Sequence, residues 1–189
     1  MKKLIAFFAL TLSLQGCIFV AGAAAGAAAI AIVYDHRTLQ NAVQDTQIAN
    51  AIINKIRTIP ALKDDSHIEV TVFNRVVLLT GETPDANWRQ QAEEIAKSVP
   101  DVSRVYNQLA LEGPTSTLTR TSDSWITTKI KSQMLATDDL KSSSIKVVTE
   151  NGVVYLIGIV NRDQADTAVD IARQVVGVQK VVKIFQYAK

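Results

Sequence analysis

Ile145-Lys-Val-Val-Thr-Glu-Asn-Gly-Val-Val-Tyr-Leu-Ile-Gly158 decides the fold. Asn151-Gly152 is the strongest short hairpin signal, because a type I′ turn needs positive φ at both central residues. Pairing outward from the turn puts Ile145, Val147, Thr149, Val154, Leu156 and Gly158 on one face of the hairpin. Side chains alternate along a strand, so Val148, Val153, Tyr155 and Ile157 fall on the other face.

The same pattern stands about 77 residues earlier. Ile68-Glu-Val-Thr-Val-Phe73 and Val76-Val-Leu-Leu-Thr-Gly81 flank Asn74-Arg75, with Ile68, Val70, Val72, Val77, Leu79 and Gly81 sharing a face. Each hairpin sits in the same frame. An apolar stripe at helical spacing precedes it: Ile48, Ile52 and Ile56 in one copy, Ile126, Ile130 and Met134 in the other. A second amphipathic helix follows, Asp85 to Val99 and Gln164 to Val175, and then a strand, Val102 to Leu111 and Val178 to Tyr187. The changes of period from 3.6 to 2 and back predict helix, hairpin, helix, strand, twice over. This is an internal duplication.

Gly113-Pro-Thr-Ser-Thr-Leu-Thr-Arg-Thr-Ser-Asp-Ser124 reads as a polar linker ending in a helix N-cap. The outer faces of the hairpins carry Phe73, Val76 and Leu78 in one copy and Val148, Val153, Tyr155 and Ile157 in the other. A three-stranded sheet should not leave such a face in water, so the copies are expected to pack through them.

The chain opens with Met1-Lys2-Lys3, the uncharged run Leu4 to Leu14, and Leu14-Gln15-Gly16-Cys17, which holds the only cysteine in 189 residues. A positive n-region, an apolar h-region and a small residue before the cut resemble a bacterial lipoprotein signal, or lipobox. The resemblance implies diacylglycerol on the Cys17 sulfur, cleavage after Gly16, and a tethered periplasmic domain. Ile18 follows the cysteine and no Asp stands there to signal inner-membrane retention, so it also implies the inner leaflet of the outer membrane. The uncharged run from Leu4 to Tyr34 is long enough to span a bilayer, but Val20 to Ala29 is almost all Ala and Gly, weakly apolar for a lipid-facing helix. Residues 18–34 therefore read as a membrane-proximal tether.

After removal of residues 1–16 the side-chain charge is zero, with eighteen cationic and eighteen anionic side chains. No global basic field points to nucleic acid. Nor does the chain display catalytic machinery. His36 and His67 have no metal-ligand companion at useful spacing. Asp64-Asp65 and Asp138-Asp139 read as solvated loop charges, and no G-x-S-x-G elbow or phosphate-binding glycine loop is present. The sequence thus predicts a non-enzyme without metal or other cofactor.

The paired hairpins with Gly81 and Gly158, together with Val175-Val-Gly-Val-Gln-Lys-Val181 and its echo Val99-Pro-Asp-Val-Ser-Arg-Val105, resemble the BON domain. This is a small αββαβ module found in tandem in periplasmic and outer-membrane lipoproteins. Trp125-Ile-Thr-Thr-Lys129 and Val147-Val-Thr-Glu-Asn-Gly152 narrow the resemblance to dual-BON outer-membrane lipoproteins. The fold expected is α+β: two tandem αββαβ domains, each a three-stranded mixed sheet on two helices. The boundaries expected are a signal peptide at 1–16, a lipidated tether at 17–45, BON domains at 46–112 and 124–189, and a linker at 113–123. The resemblance implies binding of anionic phospholipid, phosphatidylglycerol above all, support of outer-membrane integrity, and enrichment at the division site.

The residues themselves favour the second copy as the lipid site. Residues 120–189 carry ten Lys and Arg against seven Asp and Glu, whereas residues 46–113 carry seven against nine. At 100° per residue, Trp125, Lys129, Ser132 and Ala136 lie together on the flank of the core stripe and Leu135 lies across from it. The matching residues of the first copy for Trp125 and Leu135 are Gln47 and Arg57. A Trp beside a Lys offers lipid a ring at headgroup depth and a cation for phosphate. The candidate lipid contacts are Trp125, Ile126, Lys129, Ser132, Gln133, Leu135 and Ala136. The other reading is a periplasmic scaffold that meets envelope-assembly or division proteins.

Overall fold

The computed structural model describes residues 36–113 and 117–187. Cys17, the signal peptide and the Ala/Gly tether lie outside the described residues. Among the described residues no helix is long and apolar enough to cross a membrane.

The chain order is α1 (His36–Arg57), α2 (Pro60–Asp64), β1 (His67–Phe73), β2 (Val76–Glu82), α3 (Ala86–Lys97) and β3 (Arg104–Asn107), followed by a second set. That set is α4 (Thr117–Leu135), β4 (Ile145–Glu150), β5 (Val153–Val160), α5 (Arg162–Gln174) and β6 (Lys180–Tyr187). Each set forms one three-stranded sheet, ordered β1-β2-β3 and β4-β5-β6. The hairpin pairs are antiparallel, and β3 and β6 return parallel to β2 and β5 through the crossover helices α3 and α5. The fold is therefore the expected pair of αββαβ units.

The hairpin registers follow the turn chemistry. Val72 pairs with Val77, Val70 with Leu79 and Ile68 with Gly81; Thr149 pairs with Val154, Val147 with Leu156 and Ile145 with Gly158. Asn74, Arg75, Asn151 and Gly152 all have positive φ, so both turns take the I′ form and Arg75 accepts a backbone that favours glycine. An acid on the preceding helix fixes each turn. Asp45 accepts the N–H groups of Asn74 (2.6 Å) and Arg75 (2.8 Å), and Asp123 those of Asn151 and Gly152 (both 2.9 Å).

Gly81 and Gly158 have a shared steric reason. A Cβ at Gly81 would stand 2.0 Å from the carbonyl oxygen of His67, and one at Gly158 would stand 2.3 Å from that of Ser144. At the echoed corner after α3 and α5, Asp101 and Gly177 both have positive φ.

The two inward faces build separate cores. Ile48, Ile52 and Ile56 of α1 meet Val72, Val77, Leu79, Ala92 and Ala96; Ile126, Ile130 and Met134 of α4 meet Val147, Val154, Leu156, Ala168 and Ala172. The outward faces pack on each other, as their composition predicted. Val76, Leu78, Tyr155, Ile157 and Ile184 are buried in a third cluster, flanked by Phe73, Tyr106, Val148, Val153 and Val182. Polar bonds cross the same junction: Lys146 Nζ donates to the Val72 carbonyl (3.2 Å) and Asn74 Nδ2 to Gln186 Oε1 (3.2 Å).

Several elements differ from the sequence reading. α1 begins at His36, inside the stretch assigned to the tether, and α4 begins at Thr117, inside the stretch assigned to the linker. Ser124, expected as an N-cap, is mid-helix, where its Oγ donates to the Arg120 carbonyl. β3 is shorter than Val102–Leu111 because Asn107 turns its side chain into α3. Its Nδ2 donates to Arg89 O and Glu93 Oε2, and its Oδ1 accepts from Leu109 N. Glu93, hydrogen-bonded by Lys97 and Asn107, is held below the usual carboxylate range.

Candidate functional site

The outer face of α4 has the composition expected of it. Trp125 is 54 % exposed and Leu135 78 % exposed; Lys129, Ser132 and Ala136 are exposed as well. Two residues of the candidate set do not belong on this surface. Ile126 is 1 % exposed and sits in the core, because it faces Val154 and Leu156 across the helix–sheet seam, and its Cδ1 abuts Gly177. Gln133 is half-buried, with its Oε1 buried and without a hydrogen-bond partner.

The structure adds two apolar side chains that the sequence reading passed over. Leu118, 80 % exposed, lies two turns before Trp125 on the same stripe. Val176, 81 % exposed, sits in the corner whose Gly177 abuts Ile126. The seven-residue step from Leu118 to Trp125 was the available signal, hidden because residues 113–123 read as linker.

The polar residues of this helix face are quiet ones. The hydroxyls of Ser124, Thr128 and Ser132 donate to the carbonyls of Arg120, Ser124 and Thr128 at 2.7–2.9 Å. Hydroxyls satisfied by the helix's own backbone lose little when water leaves the surface. The one acid between Leu118 and Ala136 is Asp123, 5 % exposed and bound to the β4–β5 turn. The exposed face thus combines Leu118, Trp125 and Leu135 with Lys129 and no exposed carboxylate. The turn on β1–β2 is served in the same way by Asp45, which equates Trp125 with Gln47.

A second constellation lies at the junction of the two domains. A cleft of about 440 Å³ is lined by His67, Glu69, Arg120, Asp123, Lys146 and Glu150, among others. Glu82 is fully buried beside it, accepts from Asn151 Nδ2 (2.9 Å), and shares a hydrogen bond with Glu150. Burial first, then the charges of Glu82, Glu69 and Asp123, push the Glu150 carboxyl up to about 8. Burial and then Glu150 raise the Tyr155 hydroxyl, and burial lowers the Lys146 ammonium. His67 has no ligand-spaced companion along the sequence, but in the fold His67, Glu69 and Glu150 each offer an atom within 4.8 Å of the others.

Two αββαβ units joined back to back, each with an acid-clamped type I′ hairpin, define a tandem BON-domain protein. The sequence profile of the BON domain matches residues 44–113 and 122–189, and the chain belongs to that family. It is 35 % identical over 187 residues to outer membrane lipoprotein DolP of Haemophilus influenzae, covering 99 % of this chain and 96 % of that one. It is 35 % identical over 155 residues to a 21 kDa hemolysin of Actinobacillus pleuropneumoniae, covering 82 % and 80 %. Osmotically-inducible protein Y of Escherichia coli is 34 % identical over 142 residues, covering 70 % and 69 %. The chain is thus a BON-type protein of the outer-membrane lipoprotein class.

Proposed function

We propose that the protein is a non-enzymatic lipoprotein, anchored by diacylglycerol at Cys17 in the periplasmic leaflet of the outer membrane, whose second BON domain docks on anionic phospholipid through the outer face of α4. The observation that carries this reading is Trp125. It is a 54 % exposed indole on a helix face with a lysine one turn on and no exposed acid, where the duplicate helix has Gln47. An interfacial helix needs an aromatic ring at headgroup depth and cations for phosphate, and this face has both. The anchor already holds the domain at the surface, so weak docking is enough. Docking of this kind would contribute to outer-membrane integrity, with the division site as its place of action.

Flotation of residues 35–189, without the anchor, tests it. Flotation with phosphatidylglycerol vesicles and not with zwitterionic ones, lost in Trp125→Glu and in high salt, is expected. Failure to float with either leaves Cys17 as the sole membrane contact and refutes docking by α4. A scaffold role is favoured by Leu39, Val43 and Leu111, which are exposed apolar side chains on the first domain. It predicts a crosslinked envelope-assembly or division partner that survives Trp125→Glu.

A further inference from the structure

We infer that the junction between the two BON domains is a binding site for a first-row divalent cation of the zinc class, held by His67 and Glu69 of β1 and by Glu150 of β4. One ligand atom from each of the three lies within 4.8 Å of the other two. A tetrahedral ion with ligands about 2.1 Å away spaces them ~3.4 Å apart, so the side chains close by up to roughly 1.5 Å around it. An imidazole nitrogen with two carboxylate oxygens suits zinc and its neighbours, whereas calcium and magnesium take oxygen sets.

The polar atoms already point to a missing partner. His67 Nε2 is buried and makes no hydrogen bond; its nearest ionic neighbour is a Glu69 oxygen at 3.8 Å. Thr80 is fully buried and its Oγ1 also has no hydrogen-bond partner. Strand alternation puts Thr80 on the junction face, directly across from Glu69 and two residues from Glu82. A buried hydroxyl left unpaired costs stability, and a metal-bound water at the fourth position would give it a partner.

Charge favours a cation there as well. Four carboxyl groups, Glu69, Glu82, Asp123 and Glu150, converge at the cleft against two cations, Arg120 and Lys146, of which Lys146 donates to the Val72 carbonyl. Because β1 belongs to the first domain and β4 to the second, the ion ties the two domains together. The sequence gives no local motif, since the third ligand stands far along the chain.

The test uses the tag-free mature lipoprotein in detergent, titrated with zinc in competition with a chromophoric chelator. One equivalent should bind, and His67→Gln, Glu69→Gln and Glu150→Gln should each weaken it by more than about tenfold, the loss that even outer-shell partners cause. Melting in EDTA checks the fold of each variant. Glu69, whose side chain is half exposed, serves if His67→Gln melts without cooperativity. Zinc should also raise the melting temperature of the parent and leave Glu150→Gln unmoved. Binding retained at parental affinity in both Glu69→Gln and Glu150→Gln, no equivalent bound, or displacement of zinc by equimolar calcium would overturn the assignment.

Discussion

Replacing Asp123 by Ala removes the clamp on the β4–β5 turn. Two charge-assisted hydrogen bonds, both 2.9 Å, are lost, and the Gly152 N–H is left buried without an acceptor. Bonds to charged groups contribute about 1.5–3 kcal/mol each, and a buried unpaired donor costs about 1–3 kcal/mol, so a loss of about 3–5 kcal/mol is expected. Each kcal/mol shifts the melting temperature of a unit this size by about 2–4 °C, which makes the fall about 10 °C. The matched experiment is Asp45→Ala. There Arg75 is exposed and water can replace the carboxylate, so the loss should be about 1–2 kcal/mol. Urea unfolding followed by circular dichroism near pH 5.5, where Glu150 keeps its proton and its repulsion with Asp123 is silent, reads both. A cost for Asp123→Ala below 1 kcal/mol, or no greater than that of Asp45→Ala, would refute the idea that burial of the turn sets the value of its clamp.

Gly158→Ala should lose about 1–3 kcal/mol by overpacking, because its Cβ would meet the Ser144 carbonyl at 2.3 Å; Gly113→Ala, with nothing within 4 Å, should be neutral by the same melts. Tyr155→Lys, which places a charge in the 6 % exposed heart of the junction, should separate thermal unfolding into two transitions and raise the radius of gyration in small-angle scattering; an unchanged profile contradicts the stacking of the sheets. The Glu150 carboxyl keeps its proton to about pH 8 in the folded chain against 4.5 ordinarily, so between those values the native state binds more protons and stability falls as pH rises. In EDTA the parent should lose at most about 1.4 kcal/mol per pH unit across that window, and Glu150→Gln should flatten the slope in urea titrations; a slope of the opposite sign would be fatal to this account.

The hairpins were legible because two turn residues and a period of two fix both register and face, so Ile68–Gly81 and Ile145–Gly158 pair as read. The stacking of the sheets was legible too, since Tyr155 and Leu78 have no other way out of water. Helix starts were not. The N-terminal halves of α1 and α4 lack the buried isoleucine stripe that marks their C-terminal halves, and the Thr- and Ser-rich run Thr117–Ser124 carries the composition of a loop. The roles of Asp45 and Asp123 were hidden because each reaches a turn 28 to 30 residues away. Trp125 and Leu135 could be picked out by comparing the duplicates, whereas the burial of Ile126 follows from its place in the core stripe. The acid cluster at the junction could not be seen at all, because Glu82 and Glu150 meet only when both domains are folded and stacked.

The outward sheet faces that meet are carried on one polypeptide, and Leu78 and Tyr155 are counterparts in the two repeats. A single unit of this kind, released from its twin, would present an uncovered aliphatic face and self-associate in a concentration-dependent way. Joining the two makes the association intramolecular, and so indifferent to dilution. However dilute the chain, its two halves therefore stay assembled where a pair of separate halves would drift apart.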